Sequence, residues 1–390
     1  MTKEIAIIGG GPSGLMAAEI LSANGFKVTI YERKPTFGRK FLMAGRGGLN
    51  ISHSENLDSF IKKYGMKSNI FKTVIDNFSP EKLRKWCEGL GEKTFIGSSG
   101  RIFPQSFKSS PLLRAWLGRL EKQNVIFKLN HDWLGWDQNN LIFKTKNGKI
   151  AVPSNTTILS LGGASWPKLG SDGSWVKILE REGVKISPLQ PSNCGFVTEW
   201  SVVFSKKFEG KSLKSITLSF QDKKKHGELI ITKNGVEGGP IYALSAFLRE
   251  EININGSAQI LLDLKPDFSI EEIKKRLLKP KLKLSISNYL RKTLNLSDVA
   301  IGLLMELSDR NNWMPDKIIN AIKSYKLNLQ KPFPIDRAIS TAGGVTFNSV
   351  NDNFMLINKP NVYVAGEMLD WEAPTGGYLL QACISNGAYV

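Results

Sequence analysis

Cysteine and histidine are scarce, three of each in 390 residues. Cys87, Cys194 and Cys383 lie far apart and form no C-x-x-C pair. That argues against a disulfide framework and a dithiol redox centre, and so few histidines argue against a His/Cys metal site. His53 and His226 fall in predicted loops and receive no role. Long apolar runs are also missing: no stretch reaches the length needed to cross a bilayer. The apolar N-terminal run is broken by Gly9, Gly10, Gly11 and Pro12, and Glu4 stands where a signal peptide would be basic. A cytoplasmic chain is expected, with no membrane partner and no obligate protein partner. Acidic residues are outnumbered, 35 against 53 lysines and arginines, a formal charge of +18. Attraction to a polyanion such as RNA is one reading of that excess. A lysine-rich composition is the other, since lysine far outnumbers arginine, the residue on which phosphate recognition leans.

What is present begins with IAIIGGGPSGL. Residues 3–8 form a short β-branched run suited to a buried parallel strand. Gly9-x-Gly11-x-x-Gly14 follows at once. Gly9 permits the tight turn, Gly11 lets backbone approach a pyrophosphate, and Gly14 allows close packing of helix on strand. A helix over 12–24, starting at Pro12 and Ser13, turns its open N–H groups and positive dipole end toward the phosphates. A second strand over 26–31 leads to Glu32, placed to accept ribose hydroxyls, with Arg33 beside it. Strand, glycines, helix and acid in register predict a Rossmann-type nucleotide site.

The choice of nucleotide rests on more distant segments. GRKFLMAGRGGLNIS (38–52) is a glycine-rich loop carrying Arg39, Lys40 and Arg46, costly to order unless it holds something anionic. NAD needs nothing there, whereas the longer FAD needs more backbone. TTILSLGG ends a β-branched run on Gly162 and Gly163, a turn that lets backbone pass close to a cofactor. Near the C-terminus a strand over 362–365 turns at Gly366 into Glu367, and Thr375-Gly376-Gly377 opens a helix through Tyr378. A helix N-terminus there would stabilise negative charge on a reduced flavin. One fingerprint and two returning strand–glycine segments describe an FAD domain assembled from both ends of the chain.

KFLMAGRGGLNISHSE, GSSGRIFPQSFKSSPLLRAW, LSLGGASWPKLGSDGSW, PSNCGF and AGEMLDWEAPTGGYLLQAC run from one end of the chain to the other. With these blocks the sequence resembles a bacterial family of NAD(P)/FAD-dependent oxidoreductases. Its branches include a bile-acid-pathway reductase, an aminoacetone oxidase and a ribosomal-RNA dihydrouridine synthase. The family's loop reads closer to G-x-G-R-C-N; here it is Gly45-Arg46-Gly47-Gly48-Leu49-Asn50, so Asn50 carries over and the cysteine does not. The resemblance implies a β-rich substrate domain with a helical subdomain inserted in the FAD domain, and a last helix continuing for a few turns beyond Val390.

The middle of the chain carries no nucleotide signal. Segments 195–200, 215–220 and 228–232 read as strands, with QDKKKHG as a turn. Segments 270–278, 286–294, 297–307 and 315–325 have helical spacing, with Ser297 and Asp316 near their starts. The expected class is therefore α/β: a three-layer Rossmann-type FAD domain over 1–190 and 335–390, and an inserted domain over 191–334 with helices at about 268–326. No second GxGxxG marks a separate NAD(P)H domain, so NAD(P)H, as the expected reductant, must visit the substrate pocket and leave. The basic stretch 274–292 is either a phosphate-tracking face or a solvated helix surface. No catalytic side chain is obligatory in flavin chemistry. Cys194 is either a proton donor or a buried structural thiol, and Tyr242, Trp166 and Tyr378 either line the substrate face or pack. The expected activity is hydride exchange between FAD and a small organic substrate. The alternative is reduction of a uridine in ribosomal RNA.

Overall fold

The computed structural model describes residues 4–278, 284–307 and 314–390. The chain divides into two compact units, one formed by 1–191 with 339–390, the other by 192–338.

The first unit is organised by the apolar runs at its two ends. Strands β1 (Glu4–Ile8), β2 (Lys27–Glu32), β3 (Ser52–His53), β4 (Thr94–Ile96), β5 (Arg101–Pro104), β6 (Ile126–Leu129), β7 (Asp132–Asp137), β8 (Asn140–Thr145), β9 (Gly148–Pro153) and β10 (Thr156–Leu159) follow in order. A five-stranded parallel sheet runs Val362–Val364, β10, β1, β2, β6. Its strands read as unbroken β-branched runs because both faces are covered. On one face Ile5, Ile7, Val28, Ile30 and Ile158 pack against Leu15, Met16, Leu112 and Trp116 of two helices. On the other face Ala6, Ile8, Tyr31 and Leu159 pack against Trp133, Leu141 and Phe143 of the antiparallel meander β7–β8–β9. Helices, parallel sheet and meander make the expected three layers. The first helix, Pro12–Ala23, packs so closely on the last, Tyr378–Tyr389, that a Cβ on Gly387 would stand 2.2 Å from the Ser13 carbonyl oxygen.

The second unit holds a seven-stranded antiparallel sheet in the order Tyr325–Leu329, Ala258–Asp263, Ser212–Phe220, Lys223–Thr232, Gly235–Glu237, Phe196–Val197, Lys331–Pro332. Helices capped by the side chains of Ser269, Ser285 and Ser297 close over its apolar side, as their spacing predicts.

Several local expectations are corrected. QDKKKHG is not a turn: only Gln221 and Asp222 turn, and Lys223 begins a ten-residue strand that pairs with Ser212–Phe220 as far as Ile230, with one irregularity. Cross-strand pairing there overrides the poor strand propensity of lysine. The glycine-rich segment after β2 contains a short helix, Arg39–Ala44. Helix Pro315–Lys323 stops before Tyr325, which joins the sheet. The 17-residue helix Gly239–Asn255 was not expected, because Gly238, Gly239 and Pro240 read as turn residues. In the basic stretch 274–292, residues 279–283 lie outside those described, as does Lys3 of the first strand. Among the described residues no helix is long and apolar enough to cross a membrane.

Candidate nucleotide-binding site

A cleft opens in the first unit where β1, β2 and β10 end, and Gly9 to Ser13, Glu32, Arg33, Arg39, Lys40, Gly162 and Glu367 all line it. These residues come from both ends of the chain, and parallel pairing in register brings their strand ends together.

Gly9 has φ of +107° and a Cβ there would meet the Ser160 carbonyl oxygen at 2.3 Å, so only glycine fits. Gly14 packs behind the cleft, where a Cβ would stand 2.1 Å from the Gly9 oxygen. Gly11 differs. A Cβ there would meet nothing within 4 Å, so open space faces this residue. It is the N-cap of a 12-residue helix with no capping side chain and no acid in its first turn. The free N–H groups and dipole end thus face an open cradle suited to a phosphate.

Glu32 is held by two backbone donors, Gly10 N–H at 2.9 Å and Lys34 N–H at 2.8 Å. Burial pushes its carboxyl above the usual range, and those hydrogen bonds with the Arg33 and Lys34 charges offset this only in part. A raised folded-state pKa means the folded chain binds this proton more tightly than the unfolded one. The Glu32 contribution to stability therefore falls as pH rises through the interval between the ordinary value of 4.5 and the raised one. In flavin-free protein, the wild-type urea midpoint is expected to fall relative to that of Glu32→Gln across this interval. A pH-independent difference would contradict it.

Beside Glu32, the Arg33 guanidinium spans Asp172 at 2.6 Å and Asp132 at 3.2 Å. Burial pushes the Asp172 carboxyl up, but hydrogen bonds from Ser174 and Arg33 outweigh it and hold the carboxyl below its ordinary range. Also lining the cleft, Lys40 Nζ donates to Glu367 Oε2 at 2.7 Å and to Ser165 Oγ at 2.8 Å. Glu367 is 7% exposed, and its other oxygen accepts the Thr341 N–H at 3.0 Å. Burial first, then the Glu367 charge, push the neighbouring Cys383 thiol up to about 12, so it carries its proton at neutral pH. Arg39 Nε, Ser171 Oγ and Trp133 Nε1 are buried in the walls without a partner.

The remaining predicted residues stand outside the lining of the cleft. Gly45 packs on Ser109, Gly163 on Thr341, Gly366 on Ser13 and Gly377 on the Ser52 backbone, while Gly376 sits against the Tyr378 ring. Gly47 faces open space. Asn50 ties its own loop down, donating to the Ser52 and Ile102 carbonyls. Tyr378 donates to Glu55 and stacks on His53. Trp166 is exposed, and Tyr242 and Cys194 belong to the second unit, Cys194 within its apolar core. Sequence reasoning missed His131, Asp132 and Trp133, which only the meander carries to the cleft, and Ser171 and Asp172. The run GSDGS held a signal for the latter pair, a short polar side chain between glycines just after a cofactor-type turn. Among the described residues no His/Cys/Asp/Glu group could hold a metal.

A family model described as HI0933-like protein Rossmann domain matches residues 3–390. The chain is 25% identical over 414 residues to a 3-dehydro-bile acid delta(4,6)-reductase of Clostridium scindens, covering 99% of this chain and 97% of that protein. It is 23% identical over 405 residues to a ribosomal RNA dihydrouridine synthase of Haemophilus influenzae, covering 97% of this chain and 95% of that one. The fold resembles that of a 3-ketosteroid delta1-dehydrogenase from Sterolibacterium denitrificans, with a TM-score of 0.54 at 11% identity over 100% of this chain and 98% of the other.

Proposed function

The chain belongs to the HI0933-like Rossmann family of FAD-dependent oxidoreductases, and on that premise we propose that it exchanges a hydride between bound FAD and a small organic substrate, with NAD(P)H as the reductant. The observation carrying this reading is the convergence, in one cleft, of an open helix N-terminus at Gly11, an acid at Glu32 and the cations Arg39 and Lys40. The N–H groups of Gly11 and Ser13 would hold the pyrophosphate, Glu32 would accept the ribose hydroxyls, and Arg39 would balance the charge. The flavin supplies the hydride chemistry when bound. The protein's part is to orient it. Lys40 pairs with the buried Glu367 carboxylate and holds it in place, and the protonated Cys383 offers no thiolate nucleophile to compete with hydride exchange.

A second reading, reduction of a uridine in ribosomal RNA, is favoured by the near-complete coverage of the dihydrouridine synthases of Haemophilus influenzae and Escherichia coli and by the charge of +18. The names of these relatives and of the bile-acid enzyme all describe reduction of a double bond in a ring.

Addition of NADPH, then NADH, to the purified holoenzyme under anaerobic conditions is expected to bleach the flavin absorption band. Bleaching by dithionite alone would exclude NAD(P)H as donor. A colourless protein that takes up no FAD would remove the cofactor assignment itself.

A further inference from the structure

A second surface of the first unit has the composition of a nucleic-acid platform. Strand β5 pairs with β3 on one side and β4 on the other, so that His53 stands opposite Arg101 and Phe95 opposite Phe103. Strand alternation puts these four residues on one face, while Ser52, Thr94, Ile102 and Pro104 are buried on the other. Phe95 and Phe103 stack at 5.7 Å, and Phe107 meets them edge-on at 5.0 Å and tilted at 5.5 Å. Phe107 is 49% exposed, so the cluster is not closed off by the fold. Phe107 also has φ of +57°, an outlier for a bulky side chain, and its carbonyl accepts the Leu49 N–H, pinning it beside the Gly45–Gly48 turn.

The rim is basic. Arg46, Lys93, Arg101 and Lys108, on the segments that carry or adjoin the phenylalanines, are exposed and make no ion pair among the described residues, while the one carboxylate at ion-pair distance from a residue of this face is Glu55, 3.8 Å from His53. The platform also leads to the cleft. His53 stacks on Tyr378 at 5.5 Å, and Tyr378 opens the helix whose Leu379, Leu380 and Cys383 line the nucleotide site.

We propose that the outward face of β3–β5–β4, with Phe95, Phe103 and Phe107 as stacking surface and Arg46, Lys93 and Arg101 as phosphate contacts, binds an unpaired segment of RNA. The inference rests on the RNA reading above. Aromatic faces with uncompensated cations suit a ligand that is flat and anionic together, and a nucleotide is both. A second copy of this chain, itself at +18, would bring like charge to that rim.

The test is anisotropy of fluorescein-labelled oligouridylate titrated with holoenzyme at several salt concentrations. Phe107→Ala is expected to weaken binding about tenfold through lost stacking. Arg101→Gln is expected to reduce the slope of log K against log salt by about 0.7. Neither residue lines the cleft, so flavin content should stay at the wild-type level in both. Absence of oligouridylate binding by wild type, or binding by both variants with the affinity and salt slope of wild type, would overturn the platform whatever the flavin does. Phe107-dependent binding to anionic phosphatidylglycerol vesicles instead of RNA would overturn it in favour of a membrane surface. Oligouridylate binding without uridine reduction in ribosomal RNA would support the platform and count against the RNA-reduction reading alone.

Discussion

Gly11→Val is expected to give a folded protein that purifies without flavin. The backbone at Gly11 has φ of −85° and ψ of −179°, extended geometry that valine adopts readily, and its Cβ would touch no protein atom within 4 Å. Folding therefore loses little. The added methyl groups project instead into the cradle at the helix N-terminus, where the pyrophosphate would lie against the backbone. A steric and desolvating obstruction there should weaken FAD by roughly 100-fold, equivalent to about 3 kcal/mol. Gly9→Ala makes the contrast. With a positive φ and a 2.3 Å approach to Ser160, it should fail at the level of folding instead. The absorbance ratio of flavin to protein, read beside far-UV circular dichroism and a urea midpoint, separates the two outcomes. A fully yellow Gly11→Val would refute the placement of the pyrophosphate.

The second large effect is expected at Lys40. Its ammonium is the one cation within ion-pair distance of Glu367 among the described residues, and that carboxylate is nearly buried. Lys40→Met removes the charge while keeping most of the side-chain volume, stranding Glu367. Breaking a buried pair from one side costs about 3–5 kcal/mol, and with Lys40 itself 26% exposed the lower end, about 3 kcal/mol, is expected. Glu367→Gln retains an oxygen for the Thr341 N–H, so the double variant Lys40→Met/Glu367→Gln should recover most of the loss. Urea unfolding of flavin-free wild type, both single variants and the double variant would measure this coupling. Additive single effects would mean that the pair contributes nothing as a pair.

Glu32 lines the same cleft and shows the complementary situation. No cation is within ion-pair distance of it among the described residues, and backbone hydrogen bonds alone do not offset its burial. The cleft thus holds one carboxylate paired with a lysine and another held by backbone donors with no cation at ion-pair distance among the described residues.

Much of the nucleotide-binding half was legible in the chain. The run from Ile5 to Gly14 specifies strand, turn and helix locally, because β-branched residues, a positive-φ glycine and a proline at the first helical turn each admit few conformations. Glu32 was legible for the same reason, since a strand of known rise after a helix of known length puts its last residue beside the first turn. Ser297 likewise announced its helix, its hydroxyl capping the N–H groups that open it, and the structure adds the same device at Ser269 and Ser285.

Other features belong to tertiary structure alone. Lys223 to Gly227 form a strand because Ser212–Phe220 lies alongside to accept their hydrogen bonds, whatever their own propensity. Asp132 and Asp172 meet Arg33 from segments about a hundred or more residues away, and nothing in the local composition of either marks that meeting. Lys40 finds Glu367 across 327 positions of chain. The face shared by His53, Arg101, Phe95 and Phe103 exists only in the register of three short strands. By itself the sequence determined which segments have the backbone geometry to hold a dinucleotide, since that is set within a few residues of each glycine. Which charges are paired, which are not, and which aromatic rings share a surface was decided by packing, which depends on contacts between residues far apart in the chain.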